Sequence, residues 1–261
     1  MKLYCLLIFA IATLLSCSHI DESDRLIEVP YAKISKAVLI EDFTGQRCVN
    51  CPKGTEVIEQ LLQTYGDSAV IAVGIHGGPL GFAGNAKYDG LATESGDKYF
   101  TYWGLEYQPV GLVNRHGAVK YTDWAAAVRD ELSKSAPLRL DVDAIMDKGQ
   151  IDIMISAYGM DGDVTGKLQV WLLEDSITAM QLMPGNVINT SYVHNHVLRA
   201  PINGLWGDDF AIGEGEQKER VLTFQPDAAW NPEHLSIVAF VYNNSGVLQV
   251  TKGTLNQKKY E

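Results

Sequence analysis

Two thiols three positions apart, Cys48 and Cys51, stand in the run Arg47-Cys48-Val49-Asn50-Cys51-Pro52. Such a pair can ligate a metal or carry out thiol–disulfide exchange. A tetrahedral zinc site needs two further ligands, and no second cysteine pair exists. His76 and His116 could complete one, but the redox reading has more context behind it, and no metal or other cofactor is expected. Exchange requires that the first thiol ionise and that the second reach the mixed disulfide it forms. A helix N-terminus meets the first need, because its free amides and partial positive charge stabilise a thiolate at Cys48. Arg47 pushes in the same direction. Cys51, one turn on, is then the resolving thiol.

The flanking sequence supplies such a helix. Ala37 to Phe43 is a short apolar run of the kind that forms a buried central strand. Val57, Ile58, Leu61, Leu62 and Tyr65 recur at helical spacing, and Gly66 closes the pattern. The pair therefore lies at a strand-to-helix junction. Pro52 is tolerated there because amides of the first turn have no intrahelical acceptor.

The start of the chain points to the compartment. Leu3 to Leu15 is apolar but too short for a spanning helix, which needs about 20 residues, and it fits a secretory signal. Leu14-Leu15-Ser16-Cys17 resembles a bacterial lipobox, which implies cleavage after residue 16 and acylation at Cys17. Ser18, rather than Asp, favours the outer membrane by the same resemblance. Residues 17–35, with Asp21, Glu22 and Asp24, read as an acidic tether. Once Cys5 leaves with the signal and Cys17 carries lipid, Cys48 and Cys51 are the remaining thiols, in a compartment where thiols oxidise. The formal charge of -11 and the lack of a Lys/Arg cluster argue against nucleic acid and against a polybasic grip on lipid.

Residues 36–136 resemble the thioredoxin fold. The resemblance implies that Asp42, six residues before Cys48, is the buried carboxylate serving the resolving cysteine. It further implies that Ala69–Ile75 is the next parallel strand and that Gln108-Pro109 is a cis bond beside the disulfide. The expected catalytic set is thus Cys48, Cys51, Asp42 and Pro109. A helical stretch is expected around Thr93–Trp103, and a closing helix capped near Thr122 or Asp123. The pattern also departs from thioredoxin: Arg47 replaces the usual tryptophan, Val-Asn replaces Gly-Pro, and a Gly-rich loop runs from His76 to Asn85.

After Pro137 the period changes to two. Leu138, Leu140, Val142 and Ala144 alternate with Arg139, Asp141 and Asp143, and Ile151, Ile153 and Ile155 follow. Repeated strands separated by turn signals predict an immunoglobulin-like β-sandwich over 137–261. The expected fold class is therefore α/β plus all-β, a thioredoxin-like domain followed by a sandwich. Within it, His194 and His196 are placed on one strand face, with no third metal ligand evident. Asp161 and Asp163 read as an acidic turn rather than a calcium loop. Asp67-Ser68-Ala69 and Asp175-Ser176-Ile177 match a permissive O-glycosylation signal.

The lipobox, Glu41-Asp42-Phe43-Thr44-Gly45 before Cys-x-x-Cys-Pro, and His194-Asn195-His196-Val197-Leu198-Arg199 with Asn203-Gly204-Leu205-Trp206-Gly207 belong together. Their combination resembles the Bacteroidetes twenty-eight-kilodalton outer-membrane protein family. That resemblance implies an outer-membrane lipoprotein, anchored through Cys17 and facing the periplasm or the cell surface. Two functions are expected from it: thiol–disulfide exchange on extracytoplasmic polypeptides, or adhesin- or receptor-type binding on the same scaffold.

Overall fold

A computed structural model describes residues 33–257. The expected signal peptide, the lipid site at Cys17 and most of the tether lie outside the described residues. Residues 34–35, at the end of the expected tether, form β1 (Ile34–Ser35), which pairs with β6 (Ser135–Ala136). No helix among the described residues is long and apolar enough to cross a membrane.

The apolar run after residue 36 becomes β2 (Val38–Thr44), every residue of which is buried. β2 lies parallel to β3 (Val70–His76) and antiparallel to β4 (Val110–Val113), which continues to β5 (Ala118–Lys120). Side chains alternate across a strand, so β2 serves two cores. Val38 and Ile40 face Ile58 and Leu61 of α1 (Cys51–Tyr65), with Trp124 and Val128 of α3 (Trp124–Leu132). Each such fully buried aliphatic contributes about 1.5–3 kcal/mol relative to exposure. Leu39 and Phe43 face the other way, with Tyr99 and Phe100 of α2 (Glu94–Tyr102). Thr93 caps α2 by accepting from the Gly96 amide at 3.0 Å.

The remaining strands are β7 (Leu138–Asp147), β8 (Gln150–Gly159), β9 (Val164–Glu174), β10 (Ile177–Met183), β11 (Val187–His194), β12 (Val197–Pro201), β13 (Asp208–Ile212), β14 (Gln217–Phe224), β15 (Leu235–Asn243) and β16 (Gly246–Gln257). Alternation holds in β7 and β8: Leu138, Leu140, Ile151, Ile153 and Ile155 point inward, onto Leu168, Leu172 and Ile237.

The expected fold class, a thioredoxin-like α/β domain followed by an immunoglobulin-like sandwich, is corrected here. The described chain is mostly strand, and a single mixed sheet of 12 strands runs β14-β8-β7-β16-β15-β9-β12-β3-β2-β4-β5, with β13 on β9. The joint is β12, which lies antiparallel to β9 and parallel to β3 through Val197 and Gly74. Trp171 and Phe240 accordingly share one core with Leu39, Phe43 and Tyr99. The reason is physical: β3 would otherwise present an unpaired edge, and β12 covers it. Hydrophobic periodicity reports which face of a strand is buried, not which edge finds a partner.

Candidate functional site

β2 ends at Thr44, and the chain turns through Gly45 to Asn50 into α1. Gly45 is required because a Cβ there would meet the Leu80 carbonyl oxygen at 2.2 Å. The Arg47 amide donates to that same carbonyl at 3.1 Å, and the Cys48 amide to the Gly45 carbonyl at 2.9 Å. Cys48 and Cys51 are joined as a disulfide, with Cys51 opening α1 and Cys48 in the turn before it. Arg47 is exposed and lies over the Phe82 ring, 5.0 Å from its centroid.

Both cysteines are buried, at 1% and 2% exposure. Part of the cover comes from β10, a strand remote in sequence. The Leu182 amide donates to the Gln46 carbonyl at 2.8 Å, and Gln46 Nε2 donates to the Met180 carbonyl at 3.0 Å. Gln181 Nε2 donates to the Cys48 carbonyl at 2.9 Å. The β10–β11 hairpin is thus laced to the turn that carries the disulfide. Neither glutamine was singled out in the sequence, because no local signal marks the side-chain bonds from Gln46 to Met180 and from Gln181 to Cys48, which span more than 130 residues.

Asp42 and Cys51 line a small cavity of ≈ 40 Å³ together with His76 and His194. That volume suffices for a water or two. Burial pushes the Asp42 carboxyl up to about 8, so it is mostly protonated at neutral pH. Burial also holds His76 down to about 3, helped by His194 and Arg199. His194 is held at about 4, again by burial, with a hydrogen bond to the Met180 backbone opposing it. The two imidazoles are therefore neutral, their ring centroids 5.3 Å apart. Asp42 Oδ1, His76 Nδ1 and His194 Nε2 have no hydrogen-bond partner among the described residues. Pro109 follows a cis bond from Gln108. It sits against α1, where a Cβ on Gly54 would lie 3.4 Å from Pro109 Cβ.

The expected placement of His194 and His196 on one strand face is not what forms. His194 ends β11, whereas His196 lies in the following turn with φ 58°, and both border the cavity. Its Nδ1 is 3.0 Å from Asp175 Oδ1. Among the described residues, no group of three or more His, Cys, Asp or Glu side chains is arranged to hold a metal.

On the opposite face of β2, Glu41 is buried against Arg115, whose Nε and Nη2 both donate to it at 3.0 Å. The guanidinium also lies over Tyr242 and Phe240, 4.2 and 4.7 Å from the ring centroids. Arg115 was not anticipated, since a lone arginine in a turn reads as solvated.

The pattern of outer membrane protein Omp28 matches residues 96–259, more than half of the chain. The chain belongs to the Omp28 family of outer-membrane proteins. Its place is the outer membrane. The matched span of this Omp28-family chain includes Gln181, His194 and Arg115 but begins after the disulfide and Asp42. The structure of HBP35 of Porphyromonas gingivalis is similar over 88% of this chain and 79% of that one, with TM-score 0.66 and 17% identity. At that identity the likeness is one of fold. A domain of the outer membrane lipoprotein Omp28 from Porphyromonas gingivalis is 26% identical, covering 48% of this chain and 92% of that one, with TM-score 0.36. No curated protein matches.

Proposed function

We propose that this protein is a non-enzymatic binding lipoprotein of the outer membrane, held by acyl chains at Cys17, in which Cys48–Cys51 braces the fold. The observation that supports this reading is the burial of both cysteines beside β10. Exchange begins with a thiolate approaching a disulfide sulfur, so access governs the rate. A buried pair gives a polypeptide thiol no approach. The brace ties the turn after β2 to α1, and Gln181 ties that turn to the second half of the chain. The test is reduction of the native protein by dithiothreitol, followed by alkylation and mass analysis. The expected result is slow reduction that becomes fast in denaturant, with no acceleration of insulin reduction. Rapid reduction of the folded chain with catalytic turnover would overturn the reading. For the anchor, Cys17→Ala is expected to release the protein from membranes; retention of that variant would contradict acylation at Cys17.

One observation favours the second reading, thiol–disulfide exchange on extracytoplasmic polypeptides: Asp42 shares a cavity with Cys51 and is largely protonated at neutral pH. In that scheme a substrate thiolate attacks Cys48, Cys51 leaves as thiolate and takes the Asp42 proton. The second substrate thiol then displaces Cys48, so the substrate dithiol is oxidised and the pair reduced. Pro109 would flank the docked peptide. This scheme needs the β10–β11 hairpin to lift first.

A further inference from the structure

A second cavity, ≈ 930 Å³ in volume, is lined by Tyr102, Trp103, Trp206 and Tyr242 and by polar residues that include Lys167 and Asn244. Its size falls in the range of small-molecule sites. Tyr102 is 64% exposed, and its ring meets Trp206 with centroids 4.1 Å apart. Folding leaves the Tyr102 ring in water there, beside the half-buried Trp103, Trp206 and Tyr242. The platform is held firmly. Trp206 packs edge-on against the buried Tyr99 ring at 5.2 Å, and its carbonyl accepts from the Tyr242 hydroxyl at 2.7 Å.

We propose that this cavity binds pyranose rings of a neutral oligosaccharide. Three features select that ligand. First, no Leu, Ile, Val or Met lines the cavity, so it lacks the aliphatic wall that a lipid tail or apolar peptide side chain would require. Second, aromatic faces carry negative π density that attracts the polarised C–H bonds on the flat side of a sugar. The polar rim, Asn244 and its neighbours, meets the hydroxyls around the sugar's edge. Third, the charges at the site are already matched. Lys167 Nζ pairs with Asp209 Oδ1 at 2.8 Å and Arg115 with Glu41, so an anionic ligand finds no free cation in the pair of basic side chains lining the cavity. The inference goes beyond the reading of the disulfide and does not depend on it.

Isothermal titration calorimetry of the oxidised full chain with maltotriose, cellotriose, chitotriose and mannotriose, and with tetra-alanine as a peptide comparator, tests it. At least one trisaccharide is expected to bind with 1:1 stoichiometry. Tyr102→Ala is expected to weaken that binding about ten-fold or more with unchanged Tm. Tyr107→Ala, at an exposed tyrosine outside the cavity, is expected to leave it unchanged. Absence of binding by all four sugars, binding that survives Tyr102→Ala, or preference for the peptide would overturn the proposal. None of these outcomes bears on the dithiothreitol experiment, so the two readings fail separately.

Discussion

Glu41 and Asp42 are neighbours on β2, both buried, and they accommodate burial in different ways. Glu41 faces the aromatic core and is paired with Arg115, itself covered by Tyr242 and Phe240. Asp42 faces the disulfide cavity, finds no cation, and is protonated instead. Alternation along a strand is enough to send adjacent carboxyls into two environments. The pairing or protonation that follows is set by what the rest of the chain brings to each face.

Breaking the ion pair is expected to have the largest effect. Arg115→Leu leaves the Glu41 carboxyl buried without its partner, a loss of about 3–5 kcal/mol in urea denaturation. Adding Glu41→Gln to Arg115→Leu is expected to restore a substantial part of that loss. A single variant as stable as the parent would mean that the pair carries no net structural weight.

Asp42→Asn is expected to act in the opposite direction. A folded-state pKa raised from 3.8 to about 8 means the folded chain binds the proton more tightly than the unfolded one. The stability from that proton is full below pH 4 and is lost as pH rises toward 8. The asparagine variant should therefore be more stable than the parent at pH 8 and little changed at pH 4, measured by urea denaturation. Equal gains at both pH values would show that Asp42 is not titrating.

The histidines sharpen the same comparison from the acid side. His76 and His194 are held neutral, so the unfolded chain binds more protons below pH 6.5. Stability contributed by the neutral rings is lost as pH falls from about 6.5 toward 3. His194→Gln is expected to flatten this acid slope, measured as Tm from pH 7 to pH 4.

The smallest expected effect is at the cover. Gln181→Ala removes an amide that donates to the Cys48 carbonyl and, at longer range, to the Gly45 and Leu182 carbonyls, neutral bonds of about 1 kcal/mol each at most. Its diagnostic consequence is faster dithiothreitol reduction of the disulfide. An unchanged rate would place the barrier to reduction elsewhere.

Much of the local structure was legible in the sequence. The spacing around Ile58 and Leu61, the helical stretch within Thr93–Trp103, and the alternation of β7 and β8 each follow from propensities within a dozen residues. What joins them was not legible. The pairing of Val197 with Gly74 and the reach of Gln181 to Cys48 depend on tertiary docking across more than 120 residues. The site shows the same division. The Cys48–Cys51 spacing was visible, as was Asp42 before it, but the burial that decides access comes from β10.

Titration of the native disulfide against glutathione redox buffers, with trapped thiols counted by mass, tests the central claim most directly. The sealed-brace account predicts that Cys48–Cys51 stays oxidised until the potential falls below about -300 mV. Equilibration near -200 mV in the folded protein, with transfer of oxidation to a polypeptide dithiol, would contradict it.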